Sequence, residues 1–158
     1  MLAKDEQYIQ YVINLAVNGV EKNGGGPFGA VVVKDGIIIG EGNNSVTNFC
    51  DPTAHAEIVA IRNACETIGD FQLAGCTIYS SCEPCPMCFG AIYWARPDRV
   101  VFAADKQDAA RAGFDDEFIY SELDLALDER RIRFDCINHP EKMLPFKKWN
   151  DKSDKIVY

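Results

Sequence analysis

Between Lys4 and Lys22, apolar residues recur at Ile9, Val12, Ile13, Ala16 and Val20. Steps of three and four place them on one stripe of a helix. The run Gly24-Gly25-Gly26 then stops it. From Gly29 to Lys34 the pattern is that of a buried strand. Asp35-Gly36 is a two-residue hairpin turn, and Ile37 to Glu41 is the returning strand. A polar loop follows from Gly42 to Pro52. Ile58, Ile61, Cys65 and Ile68 return to helical spacing, closed by Gly69. This helix is expected to begin near Asp51 or Thr53, both good N-caps, with Pro52 suited to a first turn. Thr77 to Ser80 is a short strand, Cys85 to Ala95 a helix stopped by Pro97, and Arg99 to Ala104 a further strand. Beyond it the pattern predicts a short helix near Asp108 to Ala112, a loop at Gly113 to Glu117, a helix through Ser121 to Glu129, a strand near Arg131 to Ile137, and a tail. Helices alternating with strands indicate an α/β layered domain. No repeat or linker divides the chain, and 158 residues suit one domain over 1–158.

The glycine run does not read as a phosphate cradle. Such a loop needs a strand before it and a helix after it, and the order here is reversed. Apolar residues make up 47% of the chain, enough for a core, which argues against disorder. The net charge is −8. An acidic surface repels a phosphate backbone unless its basic residues are gathered on one face. Arg130, Arg131 and Arg133 come nearest to a cluster, but Asp128 and Glu129 precede them, so they read as a solvated face and no nucleic-acid partner is expected. Met1 to Gln10 is charged, unlike a secretory signal, and no apolar run is long enough to span a membrane. The cysteines number seven, an odd set with three crowded into Cys82 to Cys88. Reduced thiols in a cytoplasmic protein fit that usage better than a disulfide framework.

Two short clusters carry the chemistry: His55-Ala56-Glu57 and Pro84-Cys85-Pro86-Met87-Cys88. Each falls at a predicted helix start. Zinc prefers nitrogen and thiolate ligands, and a catalytic zinc keeps three protein ligands and a fourth position for water. Cys85 and Cys88 are one helical turn apart, so their thiols point the same way. A helix N-terminus stabilises thiolates. His55 supplies the third ligand. The bound water falls in pKa and becomes a nucleophilic hydroxide. Residues two apart do not share a face of a regular helix, so His55 and Glu57 converge only if the helix is just beginning. Glu57 would take the proton from that water and pass it to a ring nitrogen and then to a departing amine. His-x-Glu with Pro-Cys-x-x-Cys is the signature of the zinc nucleobase deaminases. A structural reading stays open, in which Cys82 joins Cys85, Cys88 and His55 in a closed four-ligand site and Glu57 is incidental. A redox pair would leave His-x-Glu unexplained. Cys65, Cys76 and Cys136 read as core thiols, Cys50 as a loop residue, and His139 as part of a turn.

At these motifs the chain resembles the cytidine deaminase-like superfamily, and within it the small bacterial guanine deaminases. The resemblance is carried by residues 25–31, 51–57, 81–88, 91–96 and 112–116, by Pro145-Phe146 with Trp149, and by the terminal Tyr158. It implies a three-layer α/β/α fold around a five-stranded mixed sheet, and one zinc per subunit with a bound water or hydroxide. It implies a homodimer whose tail, from about residue 140, can swap to close the neighbouring site. The reaction it implies is hydrolysis of guanine, a small purine base, to xanthine and ammonia. By matching positions, Asn44 hydrogen-bonds the purine, Phe28 and Trp94 line the pocket, Asp116 accepts N–H groups from the base, and Tyr158 belongs to a C-terminal lid. A carboxylate suits the ring donors of guanine, and aromatic rings suit a planar base. The alternatives are a tRNA adenosine deaminase, which shares the zinc motifs but needs a basic surface, a deaminase of guanosine or cytosine, and a non-catalytic zinc module.

Overall fold

The computed structural model of the protein describes residues 2–158. The chain divides into a unit that ends at Glu117 and a second from Phe118 to Tyr158.

In the first unit, helix α1 covers Leu2–Asn18 and ends in a π-helical turn at Gly19–Asn23. Gly24 follows in the left-handed region, φ 66°, where the glycine run predicts a stop. Strands β1 (Gly29–Lys34) and β2 (Ile37–Asn43) form the hairpin expected around Asp35-Gly36. Strand β3 (Cys76–Cys82) pairs antiparallel with β1, and β4 (Arg99–Ala104) pairs parallel with β3. The sheet is therefore mixed, with order β2-β1-β3-β4, and among the described residues has four strands where five are expected.

Both faces of the sheet are covered, which is why β1 is apolar at successive positions. Ala30 and Val32 point into one core with Cys76 and Ile78 of β3. There they meet Ala56, Ala60 and Ala64 of helix α3 (Ala56–Ile68) and Ile92 and Ala95 of helix α4 (Pro86–Ala95). Val31, Val33 and Tyr79 point the other way, onto Val12 of α1. Helix α3 lies hard against β2. A Cβ on Gly42 would sit 2.2 Å from the Ala56 carbonyl oxygen, and one on Gly40 2.4 Å from that of Ala60. Glycine on the strand and alanine every fourth residue on the helix permit that approach. It fixes the N-terminus of α3 over the end of the sheet that carries the site.

Asp5 ties α1 to the sheet. Its two carboxylate oxygens accept from the Arg99 guanidinium at 3.0 Å each, and the Tyr79 hydroxyl donates to it at 2.7 Å. The Arg99 hydrogen bonds, with that of Tyr79, hold the Asp5 carboxyl below the usual carboxylate range. A depressed folded pKa contributes stability above the unfolded value, and that contribution is lost as pH falls through the folded one. Asp5→Asn is expected to lower the thermal midpoint at pH 7, with the gap to wild type closing below about pH 4. Melting curves over that range check it.

Several boundaries differ from the sequence expectations. Helix α3 starts at Ala56, not near Asp51 or Thr53. The capping side chain of Asp51 is used locally, accepting from the Thr53 amide at 2.8 Å and the Thr53 hydroxyl at 2.7 Å, which closes a turn before the helix begins. The loop from Gly42 to Pro52 holds a short helix α2 (Val46–Phe49). Helix α5 (Lys106–Arg111) begins earlier than expected because Asp105 and Asp108 form a reciprocal capping box.

The second unit contains most of α6 (Glu117–Leu123) and all of α7 (Leu144–Asp151). The helix expected through Glu129 ends at Leu123. Arg130 donates to the Leu125 carbonyl and the Glu122 carboxylate takes the Arg131 amide, so turns replace it. Arg131 to Ile137 is not a strand. Its alternation has the right period, but the unit holds no second strand to pair with, and Ile132 and Ile137 are 73% and 80% exposed. Cys136 is likewise exposed rather than core. His139 is a turn residue, its Nδ1 accepting from the Glu141 amide at 3.1 Å. No helix among the described residues is long and apolar enough to cross a membrane.

Candidate active site

Two helix N-termini meet at one end of the sheet. His55 is the N-cap of α3 and Cys85 the N-cap of α4, both with extended backbone, at φ −67°, ψ 157° and φ −64°, ψ 168°. Pro86 opens α4, where a missing amide hydrogen costs nothing. Cys88 follows in the first turn. The His55 Nδ1 lies 3.5 Å from the sulfur of Cys85 and 3.5 Å from that of Cys88. The three ligand atoms all lie within 4.8 Å of one another, and among the described residues no other group of His, Cys and acidic side chains is gathered in this way. One nitrogen and two sulfurs from two helix starts are a donor set that fits zinc.

Protonation agrees with that fit. Cys85 is pulled down to about 4, first by the hydrogen bond from the Cys88 thiol and then by His55, against its burial. Cys88 is pushed up because it donates to Cys85 and is buried. The hydrogen bond with Cys85 raises His55. Without metal the pair thus holds one thiolate and one thiol, a negative centre that a cation can take over by displacing the shared proton.

Glu57 is buried beside this group, in the first turn of α3. Its Oε1 accepts from the Ser80 hydroxyl at 3.2 Å, and its Oε2 lies 3.4 Å from the Cys88 sulfur, whose single hydrogen serves either Glu57 or Cys85. Burial pushes its carboxyl above the usual range. His55 and Glu57 converge as the two-residue offset requires, because the regular helix starts between them.

Cys82 does not join the cluster. Its thiol donates to the Asp105 carbonyl at 3.5 Å, and burial pushes it up to about 11. The closed four-ligand reading loses its fourth side chain.

Asp116 acts electrostatically on this group, and Asn44 directly precedes Ser45, whose amide donates to the Ala54 carbonyl at 2.9 Å. Asn44 is buried, and its backbone amide donates to the Phe28 carbonyl at 3.0 Å. Its side-chain oxygen accepts from the amides of Gly26 at 3.2 Å and Val46 at 3.4 Å, which turns the planar NH2 group the other way, as a donor. A Cβ on Gly25 would lie 2.0 Å from the Asn44 carbonyl oxygen, so the glycine run serves this approach as well as the helix stop. Asp116 is half-buried. Burial raises its carboxyl, the Cys85 thiolate adds to the rise, and Asp116 acts on His55 in turn. Its loop is held by the 3.3 Å ion pair of Lys106 with Glu117 and by Phe114, whose ring meets Phe28 edge to face at 5.0 Å. Sequence reasoning missed two residues here. Phe114 lies within a resembling stretch that carries no motif role for it, and Ser80 reads from its pattern only as the end of a strand.

Trp94 is not brought to this group. It is 65% exposed near the far end of α4, nine residues beyond Cys85 and so roughly 13 Å along the helix axis. Tyr158 ends the second unit, also exposed.

Comparison with known proteins supplies the family context. The family model of the cytidine and deoxycytidylate deaminase zinc-binding region matches residues 2–104. Over 153 residues the chain is 54% identical to the guanine deaminase of Bacillus subtilis (strain 168), covering 97% of this chain and 98% of that protein. The X-ray structure of a Bacillus subtilis guanine deaminase superposes with a TM-score of 0.95. A guanine deaminase structure from Nitrosomonas europaea gives a TM-score of 0.66 at 34% identity, covering 69% of this chain and 63% of that one. The tRNA-specific adenosine deaminase of Aquifex aeolicus is 41% identical over 99 residues, covering 63% of this chain and 65% of that protein.

Proposed function

The chain belongs to the cytidine and deoxycytidylate deaminase zinc-binding family, and from that premise we propose that it hydrolyses guanine to xanthine and ammonia. The observation that carries this reading is the His55, Cys85 and Cys88 group with a buried carboxylate, Glu57, against it. Near-complete coverage at 54% identity to a guanine deaminase favours guanine among the possible substrates.

In this reading His55, Cys85 and Cys88 hold one zinc per subunit and leave a fourth place for water. Zinc, when bound, supplies a Lewis acid that lowers the pKa of a water toward neutrality. Glu57 takes one proton from the attacking water and delivers it to the ring nitrogen N3, where it stays, and then carries the second, from the added hydroxyl, to the exocyclic nitrogen. The bond from C2 to that nitrogen breaks, ammonia leaves with the proton, and xanthine keeps the oxygen. Asn44 donates to the purine, Asp116 accepts from its N–H groups, and Phe28, steadied by Phe114, packs on the ring. Tyr158 enters through a homodimer, in which a swapped tail closes the neighbour's pocket. The location in this reading is cytoplasmic, supported by the odd set of seven cysteines.

Ammonia release from purified zinc-loaded protein tests it, over guanine, adenine, cytosine, guanosine and a tRNA anticodon stem-loop. Guanine is expected to be the preferred substrate. The stem-loop is disfavoured by the net charge of −8 and by the chain spanning only 65% of the tRNA deaminase it matches. A preference for the stem-loop would replace this proposal with the tRNA one. Asp116→Asn is expected to lower kcat/KM for guanine by about tenfold to a hundredfold, the worth of a hydrogen bond to a charged acceptor, with zinc content unchanged.

A further inference from the structure

Ser80 is a polar residue where the fold calls for an apolar one. Along β3, the face turned to α3 and α4 carries Cys76 and Ile78 and then Ser80, which is 1% exposed. Its neighbours across the sheet are Ala30 on β1 and Phe102 on β4, neither with a polar side chain. A buried hydroxyl in such a setting is costly unless it is bonded. The backbone amide of Cys82 approaches its oxygen at 3.5 Å as donor, so the hydroxyl hydrogen is left for Glu57 Oε1 at 3.2 Å. With Glu57 ionised, as it must be to take a proton, the direction of that bond is fixed, because a carboxylate only accepts.

We propose that Ser80 is a positioning residue that holds one oxygen of Glu57 and so aims the other at the ligand group. The inference rests on the role given to Glu57 above. The two carboxylate oxygens have separate partners, Ser80 on Oε1 and Cys88 on Oε2. A ligating thiolate has no hydrogen to donate. With Cys88 as a ligand, Ser80 is the remaining side-chain donor on Glu57 among the described residues, and Oε2 is released toward the reacting atoms. A carboxylate held at one oxygen loses less freedom when it receives a proton at the other.

The test compares Ser80→Ala, Ser80→Thr and Glu57→Gln in the full-length protein. Ser80→Ala removes the hydroxyl at almost constant volume. It is expected to lower kcat for guanine by about tenfold to a hundredfold with KM within about twofold of wild type, the signature of an interaction made in the transition state. Zinc content and melting temperature stay near wild type. Ser80→Thr, which keeps a hydroxyl, restores most of the rate. A second readout needs no turnover. In zinc-free protein labelled at the glutamate carboxyl carbons, the Glu57 resonance is identified by its loss in Glu57→Gln, and it shifts in Ser80→Ala and returns in Ser80→Thr. Wild-type kcat in Ser80→Ala overturns the proposal, as does a loss that comes with lost zinc or a raised KM, or a Glu57 resonance that does not move. Retained turnover in Glu57→Gln instead overturns the role of Glu57 itself, so the two failures are distinct.

Discussion

Glu57→Gln is expected to retain zinc and to lower kcat for guanine by about 10²–10⁴-fold, the usual worth of a positioned acid–base group. Glutamine keeps the length and shape of the side chain, and its carbonyl oxygen still accepts from Ser80. It cannot take a proton from water or return one to nitrogen. The three ligand atoms belong to His55, Cys85 and Cys88, so the metal site does not depend on the substituted group. A buried carboxylate with a raised proton affinity is suited to a group that must both take and give a proton. Steady-state kinetics beside metal analysis of the same preparation decide the matter. A variant that turns over guanine at more than a tenth of the wild-type rate would remove Glu57 from the chemistry and leave the site with metal ligands alone.

How much of this was legible in the sequence follows from which interactions are local. His55 and Glu57 could share a site only at a helix start, and the offset alone required it; the structure puts His55 at the N-cap. Cys85 and Cys88 were legible for the same reason, as one turn of one helix. The start lies several residues beyond Asp51 because Asp51 has two local uses, as a cap and as a turn former, and the sequence does not say which will win. The strand expected at Arg131 to Ile137 failed for a different reason. Alternation marks a segment able to pair, but a strand exists only where another offers its edge, and that information lies elsewhere in the chain. Ser80 shows the limit most clearly. Its polarity breaks the apolar face of β3 and could have flagged it, yet its partner is 23 positions away on a helix whose packing depends on Gly40 and Gly42. Asn44, Phe28 and Asp116 came from resemblance rather than from pattern. The structure ties Asn44 to the glycine run and Phe28 to Phe114, contacts that the sequence does not display.

Removing the metal is expected to abolish turnover, and the pH dependence of its return reports the protonation of the ligands. Chelation of zinc from the purified protein should cost more than about 10³-fold in activity, because without the Lewis acid the attack by water at neutral pH is lost. Added zinc restores it. Cys88→Ala should lose zinc and activity together and should not be rescued at ordinary zinc concentrations, since two ligands from two helices do not make a three-donor site. The metal-free site holds its proton on Cys88, while Cys85, at about 4, is already a thiolate at pH 7. Zinc binding near neutrality should therefore expel the Cys88 proton but none from Cys85, with a further contribution from His55, whose proton affinity the Cys85 thiolate raises. The sign follows directly. Ligands that must lose protons bind metal more weakly as pH falls, so apparent affinity should drop about tenfold per pH unit for each proton displaced. Calorimetry in buffers of different ionisation enthalpy counts those protons. A zinc affinity that does not change between pH 6 and pH 8 would mean that the thiols are not the ligands, and the cluster of His55, Cys85 and Cys88 would then be a packing feature rather than a metal site.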